Sequence, residues 1–199
     1  MAKLDYFLFV RPLENGRSGD TGVVREFNDK VFLGLVDVLG HGEEAWKAAK
    51  IYKRFLEKNY RRNLVEIGEK LHEHIHKKGI RGAVIGMCHL VKNTGELSYI
   101  VTGDISLRKF GTISERAVSQ PGIMGEAIRF LREKKTHLVD DDMLILHSDG
   151  IKYHFDLRDY PQLFKESARN IATNLIAKFG KDHDDASCIV LKYARIIGK

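Results

Sequence analysis

The chain has 199 residues, 43% of them hydrophobic, with a formal net charge of +6, which is the size of one domain able to enclose a substantial core. No uninterrupted apolar stretch approaches the roughly 20 residues that span a bilayer, and Met1-Ala2-Lys3-Leu4-Asp5 lacks the apolar segment of a secretory leader. The cations are interleaved with acids, as over residues 47–62, and form no basic stripe of the kind that binds nucleic acid. The expectation is one cytoplasmic domain over residues 1–199, with neither nucleic acid nor membrane as a partner.

Residues 6–10, 21–27 and 30–38 are short runs rich in β-branched and aromatic residues, separated by Asn15-Gly16, Ser18-Gly19 and Asn28-Asp29; they predict three strands joined by turns. From Glu43 the period changes. Ala45, Ala48, Ala49, Tyr52, Phe55 and Leu56 recur at helical spacing, and Leu64, Ile67, Leu71 and Ile75 repeat it after Asn63, predicting two consecutive helices. Residues 83–91, 96–102, 106–110 and 112–118 predict an antiparallel meander, with Asn93-Thr94-Gly95 as a hairpin turn. Residues 136–138 and 143–147 add strands around a polar Asp140-Asp141-Asp142 corner. Pro161 then opens a predicted helix carrying Phe164, Ala168, Ile171, Leu175 and Phe179 and ended by Gly180, and residues 186–195 close as a strand. Cys88 and Cys188 lie inside strand-like runs, where a free thiol acts as a small hydrophobe, so neither a disulfide framework nor a zinc knuckle is expected. Helices grouped between runs of antiparallel strands imply an α+β architecture of packed layers.

Three times an aspartate ends or precedes an apolar strand: in Leu33-Gly34-Leu35-Val36-Asp37, in Leu144-Ile145-Leu146-His147-Ser148-Asp149-Gly150, and before Ala186-Ser187-Cys188-Ile189-Val190-Leu191. An aspartate beside glycine at a strand end is ordinarily a turn residue. Several converging from different strands can instead hold hard divalent cations, which prefer oxygen ligands. Combination and order favour the second reading.

Ser18-Gly19-Asp20, then Asp37-Val38-Leu39-Gly40-His41-Gly42 leading into a helix, then Ser148-Asp149-Gly150-Ile151, then Asp184-Asp185-Ala186-Ser187 leading into the last strand resemble the signature blocks of the PPM metal-dependent protein phosphatases. More narrowly they resemble the bacterial SpoIIE-like branch, in family order across nearly the whole chain. The resemblance implies a four-layer α/β/β/α sandwich with two central antiparallel sheets and, at one edge, a centre of two Mn²⁺ or Mg²⁺ ions. Asp37 would bridge the ions, the Val38 carbonyl would contact one, Asp149 and Asp184 would complete a site, and Asp20 would act through water. Valine after the bridging aspartate departs from the usual glycine, a change that a carbonyl ligand tolerates. Two divalent ions activate water and clamp phosphate oxygens, so such a reaction needs carboxylates and no protein nucleophile. His41 follows the bacterial pattern, since the eukaryotic branch places its acid histidine where this chain has Leu39, and it is assigned to loop support ahead of proton transfer. The substrate-gripping arginine of eukaryotic members has no clear counterpart. By resemblance, the substrates are phosphoserine or phosphothreonine in STAS-domain stressosome regulators.

His72-Glu73-His74-Ile75-His76 satisfies H-E-x-x-H on a predicted helix, the pattern of a zinc protease. A catalytic zinc needs a third protein ligand, and Lys77-Lys78-Gly79 ends the helix without one. The histidines are therefore assigned to a polar helix flank. His147 and Ser148 are adjacent on a strand and point to opposite faces, so they form no dyad. His89, His137, His154 and His183 are isolated, Asp140 to Asp142 form a solvated turn, and Gly122-Ile123-Met124-Gly125 is a structural loop. The competing function is a pseudophosphatase that keeps the fold and only binds a partner; retention of Asp20, Asp37, Asp149 and Asp184 argues against it.

Overall fold

A computed structural model describes residues 2–13, 16–153, 155–156 and 159–195. Asn15 of the first predicted turn and His154 lie outside the described residues. Strands β1 (Ala2–Arg11), β2 (Asp20–Phe27) and β3 (Lys30–Val38) precede helices α1 (Gly42–Asn59) and α2 (Leu64–Lys77). Strands β4 (Ala83–Val91), β5 (Glu96–Val101), β6 (Ser106–Phe110), β7 (Glu115–Arg116), β8 (Lys134–His137) and β9 (Met143–His147) follow. A short 3-10 helix (Pro161–Lys165), helix α3 (Ala168–Phe179) and strand β10 (Ala186–Arg195) complete the order. One sheet runs β1-β10-β9-β6-β7 and the other β2-β3-β4-β5-β8, with antiparallel pairing throughout.

The central strands β3, β4, β9 and β10 are apolar on both faces because both faces are covered. In β3, Val31, Leu33 and Leu35 point at the opposite sheet, where they join Leu144, Leu146, Ile189 and Leu191. The intervening Phe32, Val36 and Val38 meet Tyr52 and Leu56 of α1 and Leu64, Ile67 and Leu71 of α2. On the far side Ile145, Cys188 and Val190 pack on Ile171, Ala172 and Leu175 of α3. The result is the α/β/β/α sandwich. Side chains alternate along a strand, so Asp37 shares the parity of Val31, Leu33 and Leu35 and stands on the inter-sheet face at its edge.

The structure corrects the predicted elements in three places. β5 pairs with β4 and β8 whereas β6 pairs with β9 and β7, so the expected meander breaks and the chain crosses between sheets after Val101. The crossing turns on Gly103, at φ +57° and so close to Val84 that a Cβ would collide with it. Of the strand expected over residues 112–118 only Glu115–Arg116 forms; Ile113 and Val118 are 65% and 69% exposed, with no layer to bury them. Pro161 opens only a 3-10 helix, and α3 starts afresh at Ala168 because Ser167, in extended conformation, caps it by accepting from Asn170 N.

The sheets approach closely at Gly86, where a Cβ would lie 2.7 Å from Leu146 Cδ1 and 2.8 Å from Ile105 Cγ2. Gly86→Val should overpack this layer and destabilise the protein by roughly 1–3 kcal/mol, read as a lower urea midpoint with unchanged slope.

Candidate metal centre

Asp20 opens β2 and Asp37 lies near the end of β3, and the antiparallel register sets them directly opposite one another. Opposed residues on one face have Cβ atoms roughly 4.5–5.5 Å apart, and like charges there repel. Asp20 is only 5% exposed. Burial, first, pushes the Asp37 carboxyl well above the ordinary aspartate range; the neighbouring charges of Asp20, Asp149 and Asp184 and a hydrogen bond with Asp20 push it further. Asp20 is also raised, chiefly by burial, against the lowering effect of its hydrogen bonds to serine.

The other two carboxylates come from the opposite sheet. β9 and β10 are neighbours, so the turn after β9 and the loop before β10 meet at one end. Ser148 joins the sheets: its hydroxyl donates to Asp20 Oδ2 at 2.7 Å and accepts from Ser187 N at 3.0 Å. The adjacent Asp184 and Asp185 divide their work. Asp185, 6% exposed, accepts from Leu13 N at 2.6 Å and Gly19 N at 2.7 Å and so fastens the β1–β2 connection. Asp184 is half-buried, and its carboxyl is raised by burial and then by Asp149, with Lys181 opposing. Lys181 Nζ lies 3.5 Å from Asp149 Oδ2.

The Val38 side chain is buried on the helix face, while its carbonyl and that of Gly40 lie against Gly19, 3.3 and 3.2 Å from where a Cβ there would stand. A side chain at residue 19 would crowd both oxygens. His41 is exposed and occupies the N-cap of α1 without a side-chain capping bond. Sequence reasoning missed Ser148 as a bridge, Asp185 as a latch and Lys181 altogether. Ser148 had a signal in the Ser148-Asp149-Gly150-Ile151 block, and Asp185 in the Asp184-Asp185 pair, which did not say which carboxylate turns inward.

The remaining candidates go elsewhere. His72 Nδ1 accepts from Gly125 N at 3.1 Å, and His76 Nδ1 lies 3.0 Å from Gly125 O and donates to it. A His72 ring that accepts at Nδ1 carries its proton on Nε2, leaving no lone pair there for zinc. His147 uses its Nδ1 on the Ser148 carbonyl at 2.9 Å, not on the Ser148 hydroxyl, and lies among Phe155 and Tyr153 at ring distances of 5.5 and 6.2 Å; burial pulls its pKa down to about 4. His89 and His137 bond the carbonyls of Tyr60 and Thr94, and His183 is exposed. Asp140 and Asp142 accept from Arg195 N and Val139 N as turn residues do.

The donors at the sheet edge are carboxylate oxygens, with two main-chain carbonyls beside them, and both thiols are buried within the layers. That set fits Mg²⁺ or Mn²⁺ and not a soft metal. Among the described residues no group of three or more histidine, cysteine, aspartate or glutamate side chains is drawn together closely enough to hold a metal ion; the aspartates are electrostatic neighbours, with Lys181 as the cation on Asp149.

Two antiparallel five-stranded sheets between helices are the fold of the PPM-type serine/threonine phosphatases. No protein-family model and no curated protein matches the chain. Among solved structures it is similar to a protein described with the bacterial stressosome, a modular system adapted to control secondary messenger signaling. The identity is 27% over 95% of this chain and 99% of that one, with a TM-score of 0.86. RsbX in complex with magnesium is 16% identical over 96% of each chain, with a TM-score of 0.81. The catalytic domain of the serine threonine protein phosphatase PstP, in complex with two manganese ions, is 12% identical over 97% of this chain and all of that one, with a TM-score of 0.70.

Opposite stabilities are expected at two of these aspartates. Asp185→Ala strands two backbone donors and should cost about 3 kcal/mol in a denaturant titration. Asp37→Asn should instead stabilise the metal-free protein. A carboxyl raised on folding gives its full stability below the unfolded value of 3.8 and loses it as pH climbs toward the raised value. The advantage of the Asp37→Asn variant should therefore widen between about pH 4 and 8, at about 1.4 kcal/mol per unit of raise, and reverse when Mn²⁺ is added. A gap independent of pH would contradict the buried-carboxylate account.

Proposed function

We propose that this chain is a metal-dependent protein phosphatase acting on phosphoserine and phosphothreonine, with residues 1–199 as one catalytic domain. The observation that carries this reading is that Asp149 and Asp184 of one sheet lie within electrostatic reach of the opposed pair Asp20 and Asp37 of the other. The shared fold, and the magnesium and manganese ions of RsbX and PstP, support it.

In this reading Asp37, Asp149, Asp184 and the Val38 carbonyl hold two Mn²⁺ or Mg²⁺ ions, with Asp20 acting through water. Such ions, when bound, supply Lewis acidity toward phosphoryl oxygens and acidify water. The chain's own groups prepare the place. Ser148 keeps Asp20 oriented from the opposite sheet, and Asp185 closes the loop that carries Gly19. Lys181, beside Asp149, contributes positive charge at the rim, where a phosphate monoester enters. Arg17 adds a second cation next to Ser18, placed 5.3 Å from the Trp46 ring and paired with Glu43 at 3.1 Å. No cysteine serves as nucleophile: Cys88 and Cys188 are buried and burial raises both thiols. Likeness to the stressosome protein and to RsbX supports STAS-domain stressosome regulators as the substrates. Among the described residues no helix is long and apolar enough to cross a membrane.

Hydrolysis of p-nitrophenyl phosphate and of a phosphoserine protein should require Mn²⁺ or Mg²⁺ and stop in EDTA. Absence of metal-dependent turnover on both would leave a partner-binding pseudophosphatase. Asp37→Ala should reduce turnover by at least ~100-fold, since even groups behind the ligands of metal sites are worth 10–100-fold, while the chain stays folded. His72→Ala should leave p-nitrophenyl phosphate turnover near wild type; a large loss would revive a role for H-E-x-x-H in the chemistry.

A further inference from the structure

We propose that residues 119–134 form a docking groove for the substrate protein, and that it takes an extended segment of acidic and apolar side chains flanking the phosphoresidue. The inference rests on the phosphatase reading and deepens it.

Between β7 and β8 the chain forms no helix or strand over residues 117–133, yet it is pinned at four points. Met124 and Ala83 exchange backbone hydrogen bonds, Met124 N to Ala83 O at 2.8 Å and Ala83 N to Met124 O at 3.2 Å, and the Tyr52 hydroxyl also reaches Met124 O at 3.2 Å. Gly125 is held through its N–H and its carbonyl by His72 and His76. At φ +86° and pressed on Ile75, this position accepts only glycine. Leu131 seats on Gly68 of α2, where a Cβ would collide with it. The Gln120 side chain bonds both the N–H and the carbonyl of Arg132 at 2.8 Å. A segment so anchored presents a built surface.

Its outer side encloses a groove of about 840 Å³ with an apolar wall that includes Pro121, Ile123, Ala127 and Phe130. Phe130 is 57% exposed, and the Arg132 guanidinium stands 4.6 Å from its ring. The charged groups of the lining are Arg129, Arg132 and Lys134 against a single acid, Glu126. Apolar walls under a cationic rim complement a segment that alternates apolar side chains with aspartate or glutamate.

Position ties the groove to the chemistry. Ala83 pairs with Val38 on one side and Met124 on the other, so Met124 lies two strand spacings, roughly 10 Å, from the strand that carries Asp37. The carbonyl oxygen of the preceding residue, Gly82, accepts from Leu39 N at 3.0 Å, and Gly82 packs so closely on Ile123 and Glu126 that a Cβ would come within 2.6 Å of each. An extended chain rises roughly 3.3 Å per residue. With a phosphoresidue at the carboxylate centre, side chains about three to five positions away reach the groove.

The test compares two fluorescent phosphoserine peptides, one with Leu, Asp and Glu about three to five positions either side of phosphoserine and one with Lys replacing the acids. Polarisation of the non-hydrolysable phosphonate analogues of these peptides on the metal-loaded protein reads binding without turnover, and p-nitrophenyl phosphate hydrolysis by the same protein reads the centre alone. The acidic peptide should bind roughly tenfold tighter. Arg129→Glu with Arg132→Glu should erase or invert the preference, and Phe130→Ala should weaken the acidic peptide by roughly tenfold, all with p-nitrophenyl phosphate hydrolysis unchanged. Equal binding of both peptides, or indifference to these substitutions, overturns the groove. A wild-type dimer that dissociates with Phe130→Ala in sedimentation also overturns it, assigning the surface to a second copy. Peptide preference without any metal-dependent hydrolysis leaves the groove standing and removes the phosphatase reading instead.

Discussion

The antiparallel register of β2 and β3 is the constraint on which the site depends, because it places the carboxylates of Asp20 and Asp37 opposite one another at the edge of a buried layer. Two like charges would not choose that arrangement. It is enforced by the rest of the strand, where Val31, Leu33 and Leu35 are held in the inter-sheet core. A slip of one residue would turn all three toward the helices and bring Phe32 and Val36 between the sheets. Burial of such side chains is worth about 1.5–3 kcal/mol each, more in sum than the repulsion of one partly protonated pair. The hydrophobic pattern thus fixes an electrostatically unfavourable site in place, the conflict between local and global preference that functional positions tolerate.

From that pair outward, hydrogen bonds carry the geometry across the sandwich. Ser148 is buried, and its single hydroxyl serves both sheets by donating to Asp20 and accepting from Ser187 N. Asp185 uses both oxygens on the backbone of the β1–β2 connection, and so sets the position of Gly19 beside the Val38 and Gly40 carbonyls. The other aspartates, Asp37, Asp149 and Asp184, face one another's charge instead. One set of carboxylates is consumed by structure and another left available, a division made by the two sheets meeting at one edge.

How much of this could be read in the residues follows from which interactions are local. β3, β4, β9 and β10 were legible to the residue because buried strands are largely apolar runs between polar breaks, and β6 because Leu107 and Phe110 bracket a short run set off by turns. The proposed site's aspartates could be singled out because they sit in distinctive blocks. The meander failed at Gly103 because the choice between extending one sheet and crossing to the other is decided by long-range packing. The break between Lys165 and Ala168 was foreshadowed only by Ser167, whose capping geometry is hard to distinguish beside the stronger signal of Pro161. Asp184 and Asp185 have identical chemistry and adjacent positions, so only the fold could assign one inward. Lys181 carries no local pattern at all, since its significance is the carboxylate it meets across a loop.

The H-E-x-x-H match shows the same distinction from the other direction. The spacing does place His72 and His76 on one helix face with nearly parallel rings, 14° apart, as the motif reading supposes. What the spacing cannot specify is the partner, and here it is the main chain of Gly125. An irregular segment has no ladder of its own, so its buried backbone groups must be satisfied from outside. Two histidines one turn apart can meet the N–H and the carbonyl of a single residue, one accepting and one donating, which a pair of lysines or glutamates cannot do. With Leu131 on Gly68 and Met124 on Ala83, that clasp lets a stretch without regular structure keep a fixed place. The order of the site's surroundings is therefore borrowed from α2 and β4, the elements against which the segment is held.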